Sequence, residues 1–359
     1  MMSKHAWMAS SQEEYKRYNL NEIPQIWEDG LRIDGSKGSY EWWYFDSKLN
    51  DGSSLVLTFF TGPIASFSEG FKPYATLTHT LANGEKYDSK VYPINNDYAF
   101  SKEQCDVRIG KCTFKGNMKN YEIYWIDENI EVTIHLHANV PAWRPRSGHI
   151  LFNTKKLFAW LPSVPEGNVT VEIKSNDTVT NYTGTGYHDH NWGNIPMFFV
   201  MHHWYWGRAK IGDYQVVSSY ITANKEHSYD EIPIFMIAKN GEIIADKAEE
   251  YLTYTEEDYY FDEITKKHVA NRLIYDYDDG NKHYRITYKR EGDIEKMGME
   301  TQLTKLQYVF IWLIGLRGSY QRIIGNVTLE VFENEQVIET ITAPALWELM
   351  YFGKNRRRQ

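Results

Sequence analysis

Trp43-Tyr44-Phe45 leads into Asp51-Gly52 and then Leu55-Val56-Leu57; further along, Trp204-Tyr205-Trp206 leads into Gly212-Asp213 and then Val216-Val217-Ser218. The second series follows the first at an offset of 161 residues. Asn83-Gly84-Glu85 returns as Asn240-Gly241-Glu242 at an offset of 157, and Tyr124 and Asp127 return as Tyr275 and Asp278 at 151. Three matches in one order, with a slowly drifting offset, point to an internal duplication. They predict two homologous β-domains in a chain of 359 residues, a length that suits about two domains.

The sequence around these matches reads as short strands. Residues 54–60, 74–81, 121–126, 131–137, 169–174, 214–222, 232–238, 283–289 and 325–332 are rich in Val, Ile, Thr and aromatics. Gly, Asn and Asp punctuate them. Asn83-Gly84, Asn240-Gly241, Asp51-Gly52 and Asp279-Gly280 carry the signal of a tight hairpin with positive φ at both central residues. Residues 256–272 read as a helical turn or a long loop, and residues 12–18 as one short helix in an irregular lead-in. Many hairpin-linked strands must protect their edges, and closure into a barrel does so. The expected fold is therefore all-β: two consecutive lipocalin-like antiparallel β-barrels, with two packed sandwiches as the alternative. The expected domains are a lead-in at 1–30, a first barrel at 31–183 and a second at 184–359.

Composition narrows the function. Twelve Trp, 27 Tyr and 16 Phe make 15% of the chain, which suits strands and apolar ligand sites. A formal charge of −9 argues against a nucleic-acid partner, which needs a basic face. Lys354-Asn355-Arg356-Arg357-Arg358-Gln359 is a solvated tail or a weak membrane-surface contact. Cys105 and Cys112 could form one bridge but read better as isolated thiols. The first 18 residues lack an apolar leader pattern, and residues 308–316 are too short an apolar run to span a bilayer. The expected location is cytoplasmic. Absence of a phosphate loop, a Gly-x-Ser-x-Gly elbow or a zinc-type Cys/His spacing leads to the expectation that no cofactor or metal is used.

Two clusters could do chemistry. Residues 184–193 read Gly-Thr-Gly-Tyr-His-Asp-His-Asn-Trp-Gly, at the expected domain boundary. On an extended strand Tyr187, Asp189 and Asn191 share one face and His188, His190 and Trp192 the other. Three readings stay open: Asp189 as a desolvated general acid, His188 and His190 as a metal-ligand pair, or a structural hydrogen-bonded junction. The metal reading lacks a clear third ligand, with His202-His203 near in sequence and Glu41 a spatial candidate. The second cluster is Glu41-Trp42-Trp43-Tyr44-Phe45-Asp46. It is either a core aromatic strand or a pocket wall whose π faces steady a carbocation, with Glu41 a candidate partner of Arg208.

Glu41-Trp42-Trp43-Tyr44, the run from Gly186 to Gly193, and Trp206-Gly207-Arg208 resemble the carotenoid 1,2-hydratase (hydroxyneurosporene-synthase-like) family, over roughly residues 30–352. The resemblance implies a pair of lipocalin-like domains and chemistry on apolar, polyunsaturated molecules without a redox cofactor. It places the acid on Asp189. Tyr187, His188, His190 and Glu41 are the accompanying catalytic candidates. Trp42, Trp43, Tyr44, Asn191, Trp192, His203, Trp204, Trp206 and Arg208 are the substrate-binding ones. The expected reaction is hydration, cyclisation or isomerisation at a C=C bond. A conformational (pericyclase-like) catalyst and a non-catalytic carrier of an apolar ligand are the alternatives. The oligomeric state is not readable.

Overall fold

The computed structural model describes residues 4–64, 69–176, 178–298 and 318–356. The expected apolar run at 308–316 lies outside them. The chain forms two compact units, each built on one antiparallel sheet.

In the N-terminal unit, residues 8–151 and 155–197, four strands run as a meander: Tyr40–Leu49, Ser54–Phe60, Tyr74–Thr80 and Lys86–Val91. A second meander follows, from Tyr98–Phe100 through Cys105–Ile109, Cys112–Gly116, Asn120–Ile126, Ile130–Ala138 and Leu157–Ser175 to Thr178–Gly193. The last of these strands returns to the first, pairing from Gly184↔Leu49 to Gly193↔Tyr40. The C-terminal unit repeats the plan. Met201–Ile211, Tyr214–Ala223, Glu231–Lys239 and Glu242–Ala245 form one meander. Leu252–Asp262, Lys267–Asp278, His283–Gly298, Ser319–Glu333 and Gln336–Tyr351 form the other. Again the last strand pairs with the first, His203↔Tyr351 to Arg208↔Leu346. Among the described residues each ladder opens between its fourth strand and the next. This is the all-β, lipocalin-like pattern expected.

Alternation explains the strands. In Ser54–Phe60, Leu55, Leu57 and Phe59 are fully buried while Ser54, Val56 and Phe60 are not, so one face packs the core. That core gathers Trp43, Phe45, Phe114, Trp125 and Leu161. The C-terminal core is richer in tyrosine, with Tyr205, Tyr275, Tyr288 and Tyr351 around Trp347. A buried phenol needs a partner: Tyr288 shares a 3.0 Å hydrogen bond with Ser218, and Tyr205 accepts from the Ala270 amide.

The compact N-terminal unit runs to residue 197, and Thr178–Gly193 is paired along ten residues with Tyr40–Leu49. Two expectations are corrected. Residues 256–272 form a hairpin, two strands joined by a turn at 263–266 and paired from Leu252↔Tyr277 to Asp262↔Lys267; Asp262 and Lys267 beside the turn are buried and bonded to Lys296 and the Gly353 carbonyl. Of the four turns, only Asn240-Gly241 has positive φ at both residues, 50° and 84°. In the others only the glycine does, and an Asp or Asn side chain accepts from an amide two residues on, as at Asp51, Asn83 and Asp279. The lead-in carries a short helix at Gln12–Arg17, where one was expected, and a 3₁₀ turn at Ile26–Asp29 that buries Glu28 and Asp29.

Cys105 and Cys112 are free and buried. Arg356 lies over the Tyr229 ring at 4.0 Å; residues 357–359 of the basic tail are outside the described residues. Among the described residues no helix is long and apolar enough to cross a membrane.

Candidate functional site

Residues 184–193 occupy the middle of the N-terminal sheet, between Leu157–Ser175 and Tyr40–Leu49. Glycines let the strand fit there. A Cβ at Gly184 would stand 2.2 Å from the Lys48 carbonyl oxygen, and one at Gly193 would stand 2.5 Å from the Tyr40 hydroxyl. Register then sorts the side chains, since directly opposed residues of an antiparallel pair share a face. Tyr187 opposes Asp46, Asp189 opposes Tyr44, and Asn191 opposes both Trp42 and Trp160. These residues line the face turned away from the core. His188, His190 and Trp192 point inward with Trp43 and Phe45.

Asp189 is the hub of the outer face. It is 7% exposed. Its Oδ2 accepts from the Trp160 indole N–H and the Tyr187 hydroxyl, both at 2.8 Å, and its Oδ1 accepts from the Asn191 amide at 2.6 Å. Burial pushes the Asp189 carboxyl up; the bonds from Trp160 and Tyr187, the charge on His188 and the bond from Asn191 offset this only in part. The net position is above the ordinary aspartate range, the direction a proton donor needs. Around it stand aromatic rings, Trp42, Tyr44 and Phe60 half-buried and Trp143, Trp160 and Tyr187 buried. Tyr44 meets Tyr187 edge-on at 6.3 Å and donates to Asp46 at 3.0 Å. Trp42 leans on Phe60 and Phe158, and Trp143 stands edge-on to Trp160 at 6.1 Å.

The inner face does different work. His190 lies between the Glu28 carbonyl (3.1 Å) and the Glu41 carboxylate (2.6 Å). His188 lies between the Tyr44 carbonyl (2.8 Å) and Asp29 (3.2 Å). Each ring thus sits between one backbone carbonyl and one carboxylate. Asp29 also accepts from the Tyr121 hydroxyl. Burial pushes Asp29 up, but His188, His190 and Tyr121 outweigh it and hold the carboxyl below its usual range. Glu41 additionally accepts from the amides of Arg32 and Ile33. Glu41, fully buried, thus bonds His190 and two backbone amides. Trp43 is likewise core: its N–H donates to the Asp29 carbonyl and its ring stacks on His190 at 4.7 Å.

Among the described residues one trio comes within ligand reach of a metal ion, Asp29, Cys105 and His188, with ligand atoms within 4.8 Å. Asp29 and His188 already satisfy each other, and burial raises the Cys105 thiol well above its usual value, so the trio fits an ion pair beside a thiol better than a metal centre. Both rings lie near Asp29, His188 at 3.2 Å and His190 at 3.6 Å, but His190 makes its short bond to Glu41 and does not join the trio.

The remaining expected residues lie in the C-terminal unit. His203 stacks on Tyr351 at 4.8 Å and shares a 2.8 Å bond with His202. His202, pushed down to about 4 chiefly by burial, donates through Nε2 to the Lys354 carbonyl, so His203 supplies the proton of the shared bond. Trp204, Trp206 and Arg208 are half-buried on the opposite face of that strand, with Trp204 edge-on to Phe352 at 5.5 Å. Sequence reading missed Trp160, Glu28 and Asp29. A tryptophan in a long strand and an acidic pair in a lead-in carry no local signal, because their partners lie 29 to 162 residues away.

Two sheets, each with its last strand laid against its first, define a two-domain lipocalin-like β-protein. The chain belongs to the Diels-Alderase-like family, which it matches over residues 112–344. It is 28% identical over 232 residues to a hydroxyneurosporene dehydrogenase of Chlorobaculum tepidum, a match spanning 52% of this chain and 56% of that relative; the chain thus covers about half of the relative's length. Its fold is similar to that of CghA, solved with a bound small molecule (TM-score 0.60, 13% identity, 93% of this chain and 97% of the other). It is also similar to kievitone hydratase from Nectria haematococca (TM-score 0.52, 13% identity, 98% and 97%). The kinship with carotenoid-hydratase-like proteins expected from the sequence holds.

Proposed function

We propose that this chain is an acid–base enzyme that protonates a C=C bond of an apolar, isoprenoid-like or polyene substrate, with Asp189 as the acid. The observation that carries the reading is a buried carboxyl, held above its ordinary range, on an aromatic face. Proton transfer from Asp189 to the less substituted alkene carbon leaves a tertiary cation on its neighbour. The rings of Trp42, Tyr44, Trp160 and Tyr187 offer π faces to that charge. Tyr187, bonded to Asp189, orients the carboxyl, and Asn191 can turn its amide to accept the carboxyl proton in the resting state. Water capture then gives an alcohol; internal capture or loss of a proton gives a ring or an isomer.

The relatives support this reading. One is named a hydratase and another acts, by its name, on a carotenoid. The family name favours a second reading, in which the pocket only folds a polyene into a reactive conformer. One experiment separates them. Purified wild type and Asp189→Asn are incubated with a panel of prenylated phenols, acyclic carotenoids and conjugated polyenes. Acid catalysis predicts a fall in turnover of roughly 10²–10⁴-fold in the variant and incorporation of solvent deuterium at the protonated carbon. Full activity in Asp189→Asn without deuterium uptake selects the conformational catalyst. Recovery of unchanged bound ligand in both proteins selects a carrier.

A further inference from the structure

A hollow of about 760 Å³ opens in the N-terminal unit where the lead-in crosses the inner-facing end of the sheet. Its size falls in the range of small-molecule sites, about 300–1,000 Å³. Trp192 belongs to its wall, and Trp192 points to the opposite face of the strand from Asp189. The hollow is therefore separate from the proposed acid site.

Its walls combine flat rings with one pinned cation. Tyr18 stacks on His149 at 4.1 Å and 11°, and Trp192 stands edge-on to His149 at 5.4 Å. The Tyr18 hydroxyl is shielded and has no hydrogen-bond partner. Across the hollow the Arg32 guanidinium lies over Trp27 at 4.7 Å. Among the described residues Arg32 donates to two backbone carbonyls, those of Gly30 and Lys102, and bonds no carboxylate directly. The buried acids nearby bond elsewhere: Glu28 to Arg144, Glu41 to His190 and Asp29 to His188. These acids and Glu103 act on the guanidinium charge only from a distance, so its direction is fixed by carbonyls and it is held in no direct ion pair. An arginine held this way beside stacking surfaces presents what an anionic conjugated molecule binds.

We infer that this hollow is a second small-molecule site, taking a planar conjugated ligand that carries one carboxylate-like anionic group, with the anion on Arg32 and the ring system against Trp27 and Trp192. His149 donates through Nδ1 to the Ser147 carbonyl, so its other ring nitrogen is left to accept from a hydroxyl of the ligand.

The test is isothermal titration with two matched probes, 2-naphthoate and the uncharged 2-naphthamide. The expected result is one naphthoate per chain, bound about tenfold or more tighter than naphthamide at low salt, with the advantage shrinking as sodium chloride rises. Arg32→Gln brings the two probes to equal affinity, Trp27→Leu weakens both, and Trp42→Leu, on the other face of the sheet, changes neither. The wild-type comparison of the probes needs no variant, so a folding defect in Arg32→Gln leaves the test intact. Equal affinity of the two probes for wild type, no naphthoate binding, or loss of binding in Trp42→Leu would overturn the inference, and none of these bears on Asp189.

Discussion

Replacing Asp189 in two ways separates its roles as hydrogen-bond hub and as acid. Alanine removes the acceptor for three buried donors, the Trp160 indole, the Tyr187 hydroxyl and the Asn191 amide. An unsatisfied buried donor costs about 1–3 kcal/mol. Tyr187 and Asn191 can rotate toward other acceptors, but the indole N–H cannot, so Asp189→Ala should lose about 3 kcal/mol of stability. Asparagine keeps the shape. Its carbonyl accepts from Trp160 and Tyr187, and Asn191 turns its amide to meet the new NH₂, so the cost stays under about 1 kcal/mol. The two variants should also differ from wild type in pH dependence. The folded-state pKa of Asp189 is raised, so above pH 3.8 the folded protein holds this proton more tightly than the unfolded chain. Wild-type stability contributed by this group is full below pH 3.8 and is lost as pH rises through the folded pKa. Asp189→Asn has no such loss, so its stability relative to wild type should improve as pH rises. Guanidinium denaturation of the three proteins at several pH values measures both effects. Equal stability of the alanine and asparagine variants, with no pH trend against wild type, would refute the placement of the carboxyl as hub.

Three further outcomes are expected. Trp160→Phe removes a donor that holds the Asp189 pKa down, so the alkaline limb of the pH–rate profile should move to higher pH. His149, lowered to about 4 chiefly by burial, must stay neutral to fold; its stability contribution is present above pH 6.5 and lost as pH falls through about 4, a swing of up to about 3 kcal/mol, and His149→Phe should flatten that acid limb in thermal melts. Glu28→Gln strands Arg144, whose side chain is 1% exposed and 2.7 Å from the carboxylate, and should cost about 3–5 kcal/mol in denaturant titration.

The fold was legible because its signals are local. Val-, Ile- and aromatic-rich runs with Gly and Asn at the turns mark strands whatever the tertiary context, and the strand read at 54–60 has the bounds observed. The split of Tyr187, Asp189 and Asn191 from His188 and His190 was legible too, since two-residue alternation is a property of the backbone. The bonding partners of Glu41, Trp43 and His203 were not, because residue type alone does not tell which distant groups a side chain meets. Glu41 joins His190 across 149 residues, and Asp29 joins His188 across 159. Residues 256–272 misled because Asp258, with a φ of 56°, interrupts the pairing, and the consecutive Tyr259, Tyr260 and Phe261 show no two-residue alternation.

Closing the first sheet with its last strand has a consequence for biosynthesis. The segment bearing Asp189 slots between two partners, one of which left the ribosome some 140 residues earlier, so the reactive face cannot exist on a nascent chain until translation has passed residue 193. Folding must wait for a long loop to shut, and until then both neighbouring edges are open to foreign strands. The opening of the ladder, between Val91 and Tyr98, offers no shortcut: a gene permuted there would translate the whole second unit between Thr178–Gly193 and Tyr40–Leu49, and the wait would lengthen.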